Sequence, residues 1–285
     1  MKTSVITDEI SQNLEEAAEV AAAFGLNAIE LRSVWNHQPH ELDPGQIRRI
    51  RQICEEKGLK VCAISSPFFK CSLVPQEIEC QLDILGKTIQ VAQALDCRLI
   101  RGFSFWQQGD FEQRLPEIVA AFRRPAEMLR AAGMKMALEP DPSVFACNGN
   151  RLGRLIRMID DPCIGALWDA GNDVYSPIPE IPFPDGYDFV KPYILHVHLK
   201  DAILGENGKA ESVKIGTGLV NWPRQLAALK QDGYDGYLSL ETHYRKGGHI
   251  TDELLRLPGG EAFSLHGREA SVECIQALQE IMQTV

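Results

Sequence analysis

The sequence predicts an α/β protein with a (β/α)8 TIM barrel. Three observations carry this expectation. Eight short apolar runs of strand length recur along the 285 residues, segments of helical periodicity lie between most of them, and the last four runs each close on an acidic or imidazole side chain. A doubly wound open sheet uses the same alternation. No GxGxxG or Walker loop follows an early strand, however, and the count of eight favours closure.

In chain order the runs are SVI near residue 5, NAIELR near 29, KVCAI near 62 and RLIRGF near 100, then KMALE, IGALWD, ILHVH and YLSLE. Leu14, Ala17, Ala18, Ala21 and Phe24 recur at helical spacing after the first run. Ile78, Leu82, Leu85, Ile89 and Ala92 do the same after the third. Further helices are expected at 112–132, 151–159, 222–232 and 268–283, the last with Val272, Ile275, Leu278 and Met282 on one stripe. Two connections exceed short-loop lengths. Residues 175–186, YSPIPEIPFPDG, carry four prolines after the sixth run, and a long segment follows the eighth. The expected organisation is one domain over 1–285 with loop insertions near 173–192 and 243–266. Insertions at that end of a barrel form lids, substrate walls or subunit contacts, or are variable surface loops.

Composition narrows the class. Hydrophobic residues make up 45% and charged residues 24%, the balance of a globular protein with a large core. The formal net charge of −10 opposes non-specific binding to nucleic acid, so a small-molecule substrate is expected. The opening MKTSVITDEIS lacks the apolar stretch of a signal peptide and no later segment approaches a membrane span, so the expected location is cytoplasmic. Eight cysteines, at 54, 62, 71, 80, 97, 147, 163 and 274, form no CxxC pair and read as reduced, mostly buried thiols. Homo-oligomerisation is left open.

The four run ends are Glu139, Asp169, His198 and Glu241. A buried strand does not end on a charge unless something uses it. Taken singly, each of these residues is as well explained as a helix cap or a loop ion pair. Together they are different, because strands five to eight are contiguous in a closed barrel and their C-terminal ends form one arc. Three oxygen donors and one imidazole suit a divalent ion, Mn2+ first, with Mg2+, Co2+ or Zn2+ also compatible. His196 lies two residues before His198 and points to the same face but deeper. It is expected to have a structural role, or to touch substrate. Asn172, Lys200 and Arg101 stand at the same rim as candidates for substrate hydroxyls or phosphate, or as caps and solvent-facing charges.

Several stretches are similar to one family. ITDEISQNLEEA, AIELR, the DAGN turn, HVHLKD, IGTGLVNW, LKQDGYDGYLSLE and the C-terminal GREAS resemble the xylose isomerase-like TIM barrel superfamily of sugar phosphate isomerases and epimerases. The resemblance implies a single divalent ion held by Glu139, Asp169, His198 and Glu241. It further implies that Glu139 and Glu241 act as acid and base on a carbon next to a carbonyl, through an enediolate. There are departures. Glu139-Pro140-Asp141-Pro142 stands where relatives often have Glu-Asn-His, Phe145 stands where the 3-epimerases carry a further Glu, and Asn172 where several relatives place His. The superfamily also contains dehydratases that act on inososes or dehydroshikimate through a similar intermediate, which leaves a lyase as the alternative. An endonuclease IV-like reading needs histidines at the ends of the third and fourth strands, where SSPFF and GFSFW stand. A barrel that keeps only the fold is the non-catalytic alternative.

Overall fold

The computed structural model describes residues 1–206 and 208–285. Its centre is a closed parallel barrel of eight strands: β1 (Lys2–Ile6), β2 (Ala28–Leu31), β3 (Lys60–Phe68), β4 (Leu99–Gly102), β5 (Lys135–Leu138), β6 (Ile164–Asp169), β7 (Ile194–Leu199) and, after a hairpin of β8 (Asp201–Leu204) and β9 (Ala210–Val213), β10 (Tyr237–Leu240). The ring closes where β1 pairs with β10, from Lys2 opposite Tyr237 to Val5 opposite Leu240. The eight expected runs are the eight staves, and the fold class is as the sequence predicts.

The helices between staves are set by local chemistry. α1 (Leu14–Ala23) starts at Asn13, whose side chain accepts the N–H of Glu16. α2 (Pro44–Lys57) starts from an Asp43–Gln46 capping box with Pro44 in its first turn, and Gly58 ends it at φ +67°. α3 (Pro75–Ala94) covers β3 and β4 with Leu82, Leu85, Ile89 and Ala92 buried, the stripe read from periodicity. The helix expected over 112–132 is two helices, α4 (Phe111–Ala121) and α5 (Arg123–Ala132). Pro125 explains the break, because it has no N–H to give and its ring crowds the carbonyl of Ala121. α6 (Gly149–Ile159) is capped by Asn148.

After β6 the chain forms α7 (Ala170–Tyr175), crosses the proline-rich strap and returns through α8 (Tyr187–Val190). The strap packs on α6 without gaps. A Cβ on Gly149 would sit 2.4 Å from the Gly186 carbonyl oxygen, and one on Gly153 would sit 2.3 Å from that of Phe189. α9 (Trp222–Gln231) precedes β10, and α10 (Asp252–Arg256), α11 (Gly260–Ser264) and α12 (Gly267–Gln283) complete the chain. The β8–β9 hairpin was not expected, since HLKD reads as the start of a loop. Asp201 holds it in place, its carboxylate accepting the N–H groups of Ala202, Gly216, Gly218 and Val220. All eight cysteines are free thiols, and Cys80 is exposed. Among the described residues no helix is long and apolar enough to cross a membrane.

Candidate metal centre

Ring order places β5, β6, β7 and β10 side by side, so their C-terminal ends share one arc of the rim. Register aligns Asp169 with His198 across β6 and β7, while Glu139 and Glu241 stand one residue beyond β5 and β10. One donor atom from each of the four lies within 4.8 Å of the others, and all four residues are buried. Two further groups meet the same criterion: Glu30 with His196 and His198, and Glu9 with Glu241 and His243. Both groups that contain Glu241 have a cationic side chain beside their donors: Arg32 lies 2.8 Å from Glu9 and 2.7 Å from Glu241, and Lys200 lies 2.8 Å from Asp169 and 2.6 Å from Glu241.

His198 shows which side faces the quartet. Its Nδ1 is 3.1 Å from Glu139 Oε1 and 3.7 Å from Glu241 Oε2, and its Nε2 is 3.0 Å from Glu30 Oε1. A carboxylate on the far nitrogen of a ligating histidine fixes the ring and leaves the near nitrogen for a metal. Glu30 also binds His196 Nε2 at 2.7 Å and accepts from the Ser65 hydroxyl. Burial opposes its charge, yet His198 and His196 beside it hold its carboxyl well below the ordinary value. His196 is buried against Glu30 and does not line the cavity, an arrangement that suits the structural role rather than the substrate contact among its two expected roles.

Asp169 divides its two oxygens between roles that the sequence leaves as alternatives. Oδ1 caps α7 by accepting the N–H of Asn172, and Oδ2 faces the quartet. The Lys200 ammonium is 2.8 Å from Oδ2, so this buried oxygen already has a cation beside it and a bound metal would share the carboxylate with Lys200 or displace it.

The other rim candidates are tied to the quartet. Arg101 donates to Glu139 Oε2 at 3.1 Å and to the carbonyls of Ser65 and Ser66. Lys200 Nζ donates to Glu241 Oε2 at 2.6 Å. Asn172 Nδ2 donates to the Pro140 carbonyl at 2.9 Å and reaches Glu139 Oε1 at 3.5 Å. Arg32, held by Asp8 and Glu9, donates to Glu241 Oε1. All three of Arg101, Lys200 and Asn172 line the main cavity, so the structure brings them to the expected place, in the company of carboxylates.

The charge balance of this cluster also fits a dication. Asp8, Glu9, Glu30, Glu139, Asp169 and Glu241 are six buried carboxyl groups. Against them stand the buried Arg32, Arg101, Lys200 and Arg245, four fixed positive charges, which leaves an excess of two negatives before the His198 ring is protonated and of one after. Protons or a divalent cation must meet that excess. Burial pushes Asp169 up to about 7, with Glu241 and Glu139 adding to the effect and Lys200 opposing it. Glu241 goes the other way: against the cost of burial, Lys200, His243 and His198 hold it well below its ordinary value. His198 is raised well above its ordinary value, since Glu30 and Glu139 outweigh burial. Burial, with Lys200, Arg32 and Arg245 nearby, pushes His243 well down, and Glu241 only partly offsets this.

Above the quartet opens a cavity of about 750 Å³. Glu139, Glu241, Arg101, Lys200, Asn172 and His243 are at its floor. His243, Glu30, Arg32 and the pair Asp8 and Glu9 are the site residues that the sequence reading did not single out. Glu30 ends an apolar run, AIE, as the four chosen residues do, and that signal was present in the first half of the chain as well.

The class defined by this fold and site is a TIM barrel with a buried cluster of acids and histidine at the C-terminal ends of its strands. A family model described as xylose isomerase-like TIM barrel matches residues 18–263, and the chain belongs to that family. Among curated proteins, the uncharacterized protein MJ1311 of Methanocaldococcus jannaschii is 29% identical over 134 residues, 46% of this chain and 44% of that one. The match thus spans less than half of that relative. Similar solved structures include an IOLI protein with a bound zinc atom, at 16% identity and TM-score 0.76, covering 99% of this chain and 98% of that one. D-psicose 3-epimerase of Clostridium cellulolyticum H10, with D-tagatose, aligns at 15% identity and TM-score 0.75, covering 100% and 99%. The probable 3-DHS dehydratase AsbF of Bacillus anthracis aligns at 19% identity and TM-score 0.70, covering 90% and 96%. At these identities the likeness is one of fold.

Proposed function

We propose that this chain is a divalent-metal-dependent isomerase or epimerase of a sugar or sugar phosphate, which acts by removing a proton next to a carbonyl. The observation that carries the reading is the buried quartet of Glu139, Asp169, His198 and Glu241, with donor atoms within 4.8 Å of one another, of which Glu139 and Glu241 line the cavity. These four residues would hold the ion. When bound, a divalent ion supplies a Lewis acid that polarises the carbonyl and lowers the cost of the adjacent carbanion.

The rest of the chemistry belongs to the chain. Glu139 and Glu241 enter the site from β5 and β10, two staves that are separated by β6 and β7. If one carboxylate takes the proton and the other returns one to the same carbon from the opposite side, the carbon is inverted; if the proton goes instead to the former carbonyl carbon, and the hydroxyl proton passes to the former carbonyl oxygen, the carbonyl moves. Arg101 on Glu139, and Arg32 with Lys200 on Glu241, hold both carboxylates in position, and Lys200 beside Glu241 helps to keep that carboxyl ionised and able to accept a proton. His243, kept neutral, lies 3.5 Å from Glu241 Oε1 and can hydrogen-bond a substrate hydroxyl. A dehydratase is the second reading, supported by the likeness to the probable 3-DHS dehydratase AsbF: the same proton removal would then be followed by loss of a hydroxyl group.

The test is proton exchange in heavy water. Metal-loaded protein is incubated with a panel of ketoses, ketose phosphates and inososes and followed by NMR. Deuterium entering the carbon next to the carbonyl, and lost in Glu139→Gln and Glu241→Gln, is the expected result; the product separates epimer, isomer and dehydrated compound. Protein that takes up no divalent metal from Mn2+, Mg2+, Co2+ or Zn2+ solutions would overturn the reading.

A further inference from the structure

Arg101, Arg32 and Lys200 all touch the quartet, but they are not held alike. Arg101 donates to Glu139 and also to the carbonyls of Ser65 and Ser66, and Arg32 is fixed by Asp8 and Glu9 as well as by Glu241. Lys200 has no such second anchorage. Among the described residues its ammonium meets Asp169 Oδ2 at 2.8 Å and Glu241 Oε2 at 2.6 Å and no further partner, at 2% exposure of the side chain.

The strand puts it there. Lys200 is the residue after β7 and two past His198, so the alternation of an extended chain sends both side chains to the same side. β6 and β10 flank β7 in the ring, and they deliver Asp169 and Glu241 to either side of the lysine. The ammonium thus bridges two of the four donors. Its side chain has a clamped stem and a free end. A Cβ on Gly171 would sit 3.0 Å from both Cβ and Cγ of Lys200, so α7 packs directly on the stem, and the indole N–H of Trp222 bonds the Lys200 carbonyl at 3.1 Å. The clamp ends at Cγ. Beyond it lie Cδ, Cε and the ammonium, and Lys200 lines the cavity of about 750 Å³, so the end can turn there without moving the backbone.

An ion on the quartet and an ammonium in this place oppose each other. A divalent ion at the usual ~2.2 Å from Asp169 Oδ2 would lie within about 5 Å of the ammonium, and like charges buried that close repel with little water to screen them. Both also draw on the same two carboxylate oxygens. Resting on the reading given under Proposed function for the nature of the incoming ion, we propose that Lys200 is the quartet's resident cation and that divalent-metal binding is an exchange with it. In the metal-free chain the ammonium holds Asp169 and Glu241 together. On metal binding it gives up that place and turns into the cavity. The chain therefore folds without metal, and moving the lysine sets its metal affinity below what the four buried donors alone would give.

The test is a metal titration with the lysine removed. Metal-stripped wild type, Lys200→Met and Lys200→Gln are titrated calorimetrically with Mn2+, and each metal-free protein is melted thermally. Methionine keeps the stem that packs on α7, and glutamine serves if the first variant does not fold. The expected result is Mn2+ binding at least tenfold tighter in a folded variant than in wild type, a gain abolished when Asp169→Ala is added. The metal-free variant should also melt below metal-free wild type, because two buried carboxylates have lost the charge between them. A variant that folds only once Mn2+ is added reports the same preference. A lysine with a purely structural role would lower Tm and leave the affinity unchanged, so equal or weaker Mn2+ binding in folded variants overturns the proposal and leaves the metal-dependent reading standing. Uptake by the variants but not by wild type supports the lysine as resident cation and overturns the metal-dependent reading alone. No uptake by any of the three overturns both.

Discussion

At the scale of single residues, Glu30 is the side chain whose removal tells most. Its two oxygens hold His198 and His196 from beneath, and no water competes with them at 0% exposure. Glu30→Gln keeps the shape but loses the charge and one acceptor. Divalent-metal affinity is expected to fall roughly 10–100-fold, measured by calorimetric titration of metal-stripped protein. Unchanged affinity would mean that His198 is oriented by packing alone. A second residue-scale prediction concerns Asp173, which is raised well above its ordinary value by burial and by the facing carboxyl of Glu180. The groups around it are Glu180 on the strap, the N–H of Gly149 on α6 and, farther off, Asp169. Here the folded state binds a proton that the unfolded state has released. The stability tied to that proton is fully present below the ordinary aspartate value and is lost as pH rises through the folded one. Asp173→Asn should therefore match wild type in acid and exceed it in Tm at alkaline pH, a gap that widens as pH is raised in a series of thermal melts.

The strand-end signal made Glu139, Asp169, His198 and Glu241 legible, because an apolar run closed by a charge survives any uncertainty about helix boundaries. The same signal at Glu30 went unused, since it stands in the first half, away from the other four in sequence. Arg32 and Lys200 were harder to place. A long cationic side chain can reach several partners, and spacing does not say which carboxylate it will choose. Asp169 was read as either cap or ligand, when its two oxygens face different ways.

Among elements, the strap and the hairpin decide the shape of the cavity, and both are held by backbone contacts with little slack. Gly153 on α6 meets the Phe189 carbonyl, so Gly153→Ala forces a methyl to within 2.3 Å of a backbone oxygen. Overpacking of this kind costs about 1–3 kcal/mol. The expected outcome is a loss of that size in urea unfolding, with α8 and the strap displaced. Asp201 does for the hairpin what a helix cap does for a helix, and four N–H groups depend on it. These features were only partly visible in the sequence. Proline count marked the strap as an insertion, but the pairing of AIL with ESV is too short to show a period. The split of the expected 112–132 helix turns on the single residue Pro125.

For the molecule as a whole, the dominant fact is an excess of buried negative charge at one end of the barrel. Metal that binds the folded chain alone adds stability according to its free concentration, about 2.7 kcal/mol at one hundred times Kd. Thermal melting in Mn2+ and after chelation should differ by several degrees. That difference should vanish in an Asp169→Ala/His198→Ala variant, in which two of the four donors are gone. A chain with the same Tm in both conditions would place no ion at the quartet.

The ring is sealed by β1 against β10, and the arginine that grips Glu241 is itself gripped by Asp8 and Glu9 from the opening residues. A chain emerging from the ribosome thus carries Glu139, Asp169 and His198 long before the fourth donor exists. Until Tyr237–Leu240 arrives, β1 and β7 are both open edges that can pair with other strands. An ion held by all four donors would have to wait for that last stave, so the barrel would shut before the site could be filled.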